Sequence, residues 1–217
     1  MMTSTLTISS KNYSSWSMRG WLMMKIAGIP FDAVIKAPDD ADARAEILLL
    51  SPSILVPCLT YEGRRIWDTL AIGEFLQEIA PNSGLLPKDQ YQRAHCRAIC
   101  GEMHSGFSSM RSALPMNIKA HFPNFKIWSK AKADIDRITE IWRDCIESHG
   151  GPYLFGALSM ADAMYAPVAT RFKTYDVKLD PVSQAYCDAV LAWDAVQEWM
   201  GAAVCEQEEI EELEVEF

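Results

Sequence analysis

Residues 56–70 read Val56-Pro57-Cys58-Leu59-Thr60-Tyr61-Glu62-Gly63-Arg64-Arg65-Ile66-Trp67-Asp68-Thr69-Leu70, and the order of elements in them decides the fold. Val56–Tyr61 is a strand-forming run with a proline near its start, where a missing backbone N–H disturbs a sheet least. Glu62-Gly63 makes a tight turn into Arg65-Ile66-Trp67, so the pair reads as a hairpin. Asp68-Thr69 then caps an apolar-periodic helix over Leu70–Ile79 that stops before Pro81. A hairpin followed at once by a capped helix reads as the closing half of a small α/β unit.

The opening half lies upstream. Thr5–Ser9 reads as a strand, Ser15–Ala27 as a helix stopped by Gly28, Phe31–Lys36 as a second strand and Asp40–Leu50 as a helix. The full order is βαβαββα. Downstream, Asn82–Lys88 is a turn-rich linker, and beyond it only helical patterns appear, at Asp89–Leu114, Asn124–His149, Ser159–Phe172 and about Val182–Met200. Ser159-Met160-Ala161-Asp162 is a capping box, with Leu158 and Ala163 at the staple positions. The expected layout is an α/β domain over residues 1–81, a linker over 82–88, an all-helical domain over 89–205 and an acidic tail over 206–217.

Composition narrows the function. Apolar residues at 49% and charged residues at 23% of 217 are ordinary for a soluble globular protein and exclude collagen-like, disordered and coiled-coil classes. No apolar run approaches the ~20 residues of a membrane helix. The first residues show no basic segment followed by an apolar one, so the expectation is a soluble, cytoplasmic protein with no membrane partner. Seven of the carboxylates behind the net charge of −9 lie between Glu206 and Glu216, which leaves the body at −2. A near-neutral body without a basic stripe argues against nucleic acid as a ligand, and the tail is expected to stand in solvent. The six cysteines follow no zinc-type spacing, so buried free thiols are the expectation. Cys96, Cys100 and His104 recur every four residues and could face one metal ion, but Ala and Met around them favour a core stripe, and no metal is expected.

Several motifs stand in order. Tyr13-Ser14-Ser15-Trp16-Ser17-Met18-Arg19 lies between the first strand and helix, and Gly28-Ile29-Pro30-Phe31 follows. Val56-Pro57, Asp68-Thr69-Leu70-Ala71-Ile72 with Phe75-Leu76, and Ser159–Asp162 come next. Glu102–Phe107 and Leu114–Asn117 complete the set. Over about residues 4–202 the chain resembles glutathione transferases, with a thioredoxin-like domain followed by a helical one. Its first motif is similar to that of the zeta class, and Glu102–Phe107 with Leu114–Asn117 looks like a bacterial branch. The resemblance implies glutathione as co-substrate, its thiol activated for attack on an electrophilic small molecule, and a homodimer. Peroxide reduction, cis–trans isomerisation, or a non-catalytic module of the same fold remain as alternatives. Trp16 stands where the zeta motif has cysteine, which points away from isomerisation of maleylacetoacetate in particular.

The resemblance also implies site residues. Thr69, at a helix start whose N–H groups favour anions, would hold the γ-glutamyl carboxylate, and Asp68 the ammonium. Either residue could instead be a simple N-cap. Val56, before a proline that is cis in the family, would pair with the cysteinyl backbone of glutathione, and Lys36 would meet the glycine carboxylate. Lowering a thiol pKa from ~8.5 by two units needs about 2.7 kcal/mol in favour of the thiolate. A hydroxyl donor offers about 1.5–3 kcal/mol and the helix N-terminus about 0.3–1 kcal/mol, so one serine and one helix end suffice. Ser14 is the first choice and Ser15 the second, with Ser17 a weaker third, unless the serines merely cap the helix. Met103, His104, Phe107 and Met110 are the candidate pocket for the second substrate, or else a core stripe.

Overall fold

The computed structural model describes residues 4–36 and 56–207. The expected helix Asp40–Leu50 lies outside the described residues.

The first part runs β1 (Ser4–Ile8), α1 (Ser15–Ala27), β2 (Phe31–Ile35), β3 (Cys58–Tyr61), β4 (Arg64–Trp67) and α2 (Thr69–Ile79). The four strands make one sheet in the order β2-β1-β3-β4. β1 is parallel to β2, with Ile8 opposite Ile35, and antiparallel to β3, with Thr7 opposite Cys58. β3 is antiparallel to β4, with Cys58 opposite Trp67. This register gathers one set of chain ends on one edge of the sheet. The ends of β1, β2 and β4 and the start of β3 all lie there, and α1 begins there after a short loop from β1.

Helix α1 is started by Ser14, whose hydroxyl accepts the Ser17 N–H, and stopped by Gly28 in the left-handed conformation at φ 67°. Met18, Trp21, Leu22, Met23 and Met24 of α1 are buried. Pro57, joined to Val56 by a cis bond, packs on α1 at Gly20. A Cβ on Gly20 would stand 2.8 Å from the Pro57 ring, so hydrogen is the only side chain this approach admits.

The helical part comprises α3 (Gln90–Ser105), α4 (Ser108–Ala113), α5 (Ser129–His149), α6 (Met160–Thr174), α7 (Pro181–Ala192) and α8 (Asp194–Val204). The single helix expected over Asp89–Leu114 is broken, because Phe107 takes φ 63° between α3 and α4. That expected over Val182–Met200 is two, divided at the extended Trp193. Asn124–His149 becomes helical only at Ser129, after Asn124 at φ 59°. The capping box is present, and the α6 it starts is buried along nearly its whole length.

One apolar core joins the two parts, running from Leu6 and Leu22 through Leu85 to Met164 and Trp199. Arg19 of α1 donates from Nε to the Met164 carbonyl at 2.8 Å. Leu85 and Leu86 of the linker are buried, and the Leu85 carbonyl accepts from the Met160 N–H at 2.7 Å. The linker is therefore a packed joint. Glu206, expected to open a solvated tail, is instead bonded to the loop after β1. Among the described residues, no helix is long and apolar enough to cross a membrane.

Candidate active site

The site is built on the sheet edge where the chain ends gather. Ser14 is wholly buried at the N-terminus of α1, and its N–H donates to the Ser10 carbonyl at 3.0 Å. Its hydroxyl donates to Ser17 Oγ at 2.9 Å, and Ser17 Oγ also accepts the Ser9 N–H at 3.0 Å. Ser9 Oγ lies 3.3 Å from the same oxygen, so the three hydroxyls form a buried chain behind the helix start. Ser15, the first residue of α1, is also buried. Lys36 leaves β2 at the same edge, where its N–H donates to the Ile8 carbonyl at 2.7 Å. Val56 is buried just before Cys58, which opens β3.

Asp68 follows β4 and caps α2. One carboxylate oxygen accepts the N–H groups of Leu70 at 2.8 Å and Ala71 at 3.3 Å. Its backbone sits at φ 74°, ψ 134°, a conformation costly for a residue with a Cβ, about 1–3 kcal/mol, and typical of functional sites. The second oxygen meets His104 Nε2 of α3 at 3.1 Å. The other imidazole nitrogen, Nδ1, is 3.4 Å from the hydroxyl of the buried Thr69. One imidazole of the helical part thus spans both residues expected to hold the γ-glutamyl group. The hydrogen bond from His104 is the largest cause that holds the Asp68 carboxyl below its ordinary value of 3.8, ahead of the opposing effect of burial.

His104 also meets Trp16, with ring centroids 5.0 Å apart and edge-on. The guanidinium groups of Arg19 and Arg111 lie 4.6 Å and 5.0 Å from the Trp16 ring. Arg111 is buried and donates to the carbonyls of Gly106 and Met103. Burial pushes it down from 12.5 to about 10. The neutral Trp16 ring is thus flanked by the His104 imidazole and by two guanidinium groups.

Of the four residues expected to line a second-substrate pocket, His104 contacts Asp68 and Trp16. Met103, Phe107 and Met110 are buried in the core, the stripe that their spacing also allowed. Cys96 and Cys100 are core residues as well, and the Cys100 thiol is raised well above 9.0, first by its hydrogen bond with Cys96 and then by burial. With His104 turned to Asp68, these three side chains do not share a ligand, and no group of three metal-binding side chains occurs among the described residues. Sequence reasoning gave no role to Arg19 or Arg111 and treated Trp16 only as a departure. Arg111 follows the turn at Gly106-Phe107, within a stretch whose apolar period reads as one helix.

Residues 13–79 match the N-terminal domain of glutathione S-transferases and residues 91–202 match their C-terminal domain. The chain belongs to the glutathione S-transferase family. Among the relatives of this transferase-family chain, the rat maleylacetoacetate isomerase is 30% identical over 172 residues, 77% of this chain and 78% of that one. A probable maleylacetoacetate isomerase of Caenorhabditis elegans is 25% identical over 169 residues, again 77% of this chain and 78% of that protein. In fold, the chain is similar to a Burkholderia glutathione transferase homolog with bound glutathione. That similarity has a TM-score of 0.68 at 20% identity and covers 94% of this chain and 98% of that one. It is equally similar to the maleylacetoacetate isomerase of Anaeromyxobacter dehalogenans, with a TM-score of 0.68 at 22% identity, covering 97% and 96%. Both domains of the family are thus present, in the order expected from the motifs.

Proposed function

We propose that this family member is a serine-type glutathione transferase, which binds glutathione across the gathered sheet edge and directs its thiolate at an electrophilic small molecule. The observation that carries the reading is the sheet register. It brings the start of α1, Val56-Pro57 and Asp68-Thr69 to one edge, where one imidazole of the helical part meets Asp68 and Thr69. Thr69, through its hydroxyl and its backbone N–H at the start of α2, receives the γ-glutamyl carboxylate. The ammonium meets Asp68, which it shares with His104. Val56 pairs with the cysteinyl backbone as an added strand, and Lys36 takes the glycine carboxylate.

The thiol then lies at the start of α1, where Ser14 turns its hydroxyl proton toward it. The thiol proton leaves to solvent, the thiolate forms a C–S bond to the electrophilic carbon, and the electron pair goes to a leaving group or to an adjacent carbon that water protonates. The names of the rat and nematode relatives support a second reading, in which the thiolate adds to a cis double bond and is expelled after rotation. Retention on immobilised glutathione tests binding. A panel of a halonitroarene, a hydroperoxide and a cis-enone diacid separates the reactions: turnover of the first alone supports conjugation, and of the third alone supports isomerisation. No retention and no turnover would leave a non-catalytic module.

A further inference from the structure

The loop from Ser10 to Tyr13 joins β1 to the start of α1, and residues from distant parts of the helical half hold it. The Glu206 carboxylate is the central one. Its Oε1 accepts the Lys11 N–H at 2.6 Å, and its Oε2 accepts the Ser10 hydroxyl at 2.6 Å and the Asn12 N–H at 3.1 Å. The Ser10 oxygen in turn accepts the N–H groups of Asn12 at 3.1 Å and Tyr13 at 3.2 Å, while the Ser10 carbonyl accepts that of Ser14 at 3.0 Å. An unbroken path of bonds therefore runs from Glu206 through Ser10 to Ser14.

Other contacts hold the same short loop. The Trp199 indole N–H donates to the Lys11 carbonyl at 2.9 Å. The Asn12 side chain donates to Asn117 Oδ1 at 3.0 Å and accepts the Lys119 N–H at 2.9 Å. Lys119 Nζ donates to the Glu206 carbonyl, which ties the clamp to the segment after α4. Bonds to a charged acceptor are stronger than neutral ones, and a carboxylate here neutralises backbone donors that neither β1 nor α1 uses.

We infer that Glu206 is a positioning residue: it fixes the Ser10–Tyr13 loop and, through Ser10, the place of the Ser14 hydroxyl at the thiol. The consequence for the thiol rests on the proposed function, whereas the clamp itself does not. A hydroxyl must lie within hydrogen-bonding distance of the sulfur to favour its thiolate, so a loop that drifts loses this effect before it loses the distant contacts to the γ-glutamyl group.

The test uses four full-length or shortened chains: Glu206→Ala, Glu206→Gln, a chain ended after Cys205 and one ended after Gln207. Two readouts are followed, amide hydrogen exchange at Lys11 and Asn12 without glutathione, and the thiolate absorbance of bound glutathione against pH. Glu206→Ala and the chain ended after Cys205 should exchange about tenfold faster or more at those amides. Their bound thiol should titrate toward ~8.5 while glutathione affinity stays within about threefold. Glu206→Gln, which keeps one acceptor oxygen, should fall between, and the chain ended after Gln207 should match wild type. Unchanged exchange in Glu206→Ala overturns the clamp. Faster exchange with an unchanged thiol titration overturns the positioning role. If the wild-type chain binds no glutathione, the functional reading fails separately, and exchange still decides the clamp.

Discussion

Rotation about the C–O bond of a serine is nearly free, so the Ser14 proton now given to Ser17 Oγ can be turned to a thiolate. Ser17 can then donate back to Ser14, because its own hydroxyl belongs to the same chain as Ser9. Ser14 is wholly buried, so a hydrogen bond formed there competes with little water. Ser14→Ala should therefore raise the pKa of the bound thiol toward ~8.5 while leaving glutathione affinity within a few-fold. Absorbance of the thiolate against pH measures this, and a shift in Ser15→Ala with none in Ser14→Ala would move the role to Ser15. Thr69→Val keeps the shape but removes the hydroxyl expected to meet the γ-glutamyl carboxylate. Loss of one charge-assisted bond of about 1.5–3 kcal/mol should weaken glutathione binding about 10–150-fold by calorimetry. Unchanged affinity would place Thr69 outside the site.

Two helices show how local chemistry is tied to packing. In α6, the buried Asp162 accepts from the Ser159 N–H and hydroxyl, both at 2.9 Å, from the Leu154 N–H at 3.1 Å and from the Tyr186 hydroxyl at 3.2 Å. Burial nevertheless raises its carboxyl from 3.8 to about 6, against the lowering effect of those donors. A raised folded value means that the native state holds the proton more tightly between these limits. This group's contribution to stability therefore declines as pH rises from 3.8 to about 6. Asp162→Asn leaves some of those donors unmatched and should destabilise by about 1–3 kcal/mol. The deficit, measured by denaturant unfolding, should be smaller at pH 7 than at pH 4, and a deficit that grows with pH would contradict the assignment. In α1, Gly20→Ala sets a Cβ 2.8 Å from a ring that cannot bend away. Overpacking should outweigh the ~1 kcal/mol gain in helix propensity and leave a net loss of about 1–2 kcal/mol. Gly101→Ala in α3, with nothing within 4 Å of the new Cβ, should instead stabilise the protein. These elements were largely legible in the sequence, because caps, glycine stops and apolar periods are local signals. The break at Phe107 follows Gly106, a helix-stop residue outweighed in the sequence by the apolar period around it, and no glycine or proline marks the extended Trp193. Of the candidate site, Ser14 and Asp68-Thr69 declare themselves by their position at a helix start. The bonds of His104 to Asp68 and of Glu206 to Ser10 join residues 36 and 196 positions apart, and no sequence period records them.

At the scale of the whole molecule, charge separates the body from its end. Residues 208–217 lie beyond the clamp and carry six of the carboxylates that give the net charge of −9. Without them the net charge is −3, so most of the long-range repulsion between two copies comes from these ten residues. We propose that the chain forms a homodimer, as its family resemblance implies. Trp67 at the end of β4 is 50% exposed and Tyr91 at the start of α3 is 76% exposed, which supplies aromatic surface for such a contact. Packing six like charges into an interface would oppose association, so the end of the chain should project from the dimer rather than enter it. A chain ended after Gln207 keeps Glu206 and should therefore keep the dimer, glutathione binding and turnover. Its isoelectric point should rise from about 4.9, and its solubility near neutral pH should fall as the net charge shrinks. Light scattering and a conjugation assay on this shortened chain decide the matter. A monomer would mean that residues 208–217 take part in the contact between copies, and lost turnover in an intact dimer would mean that they reach the site.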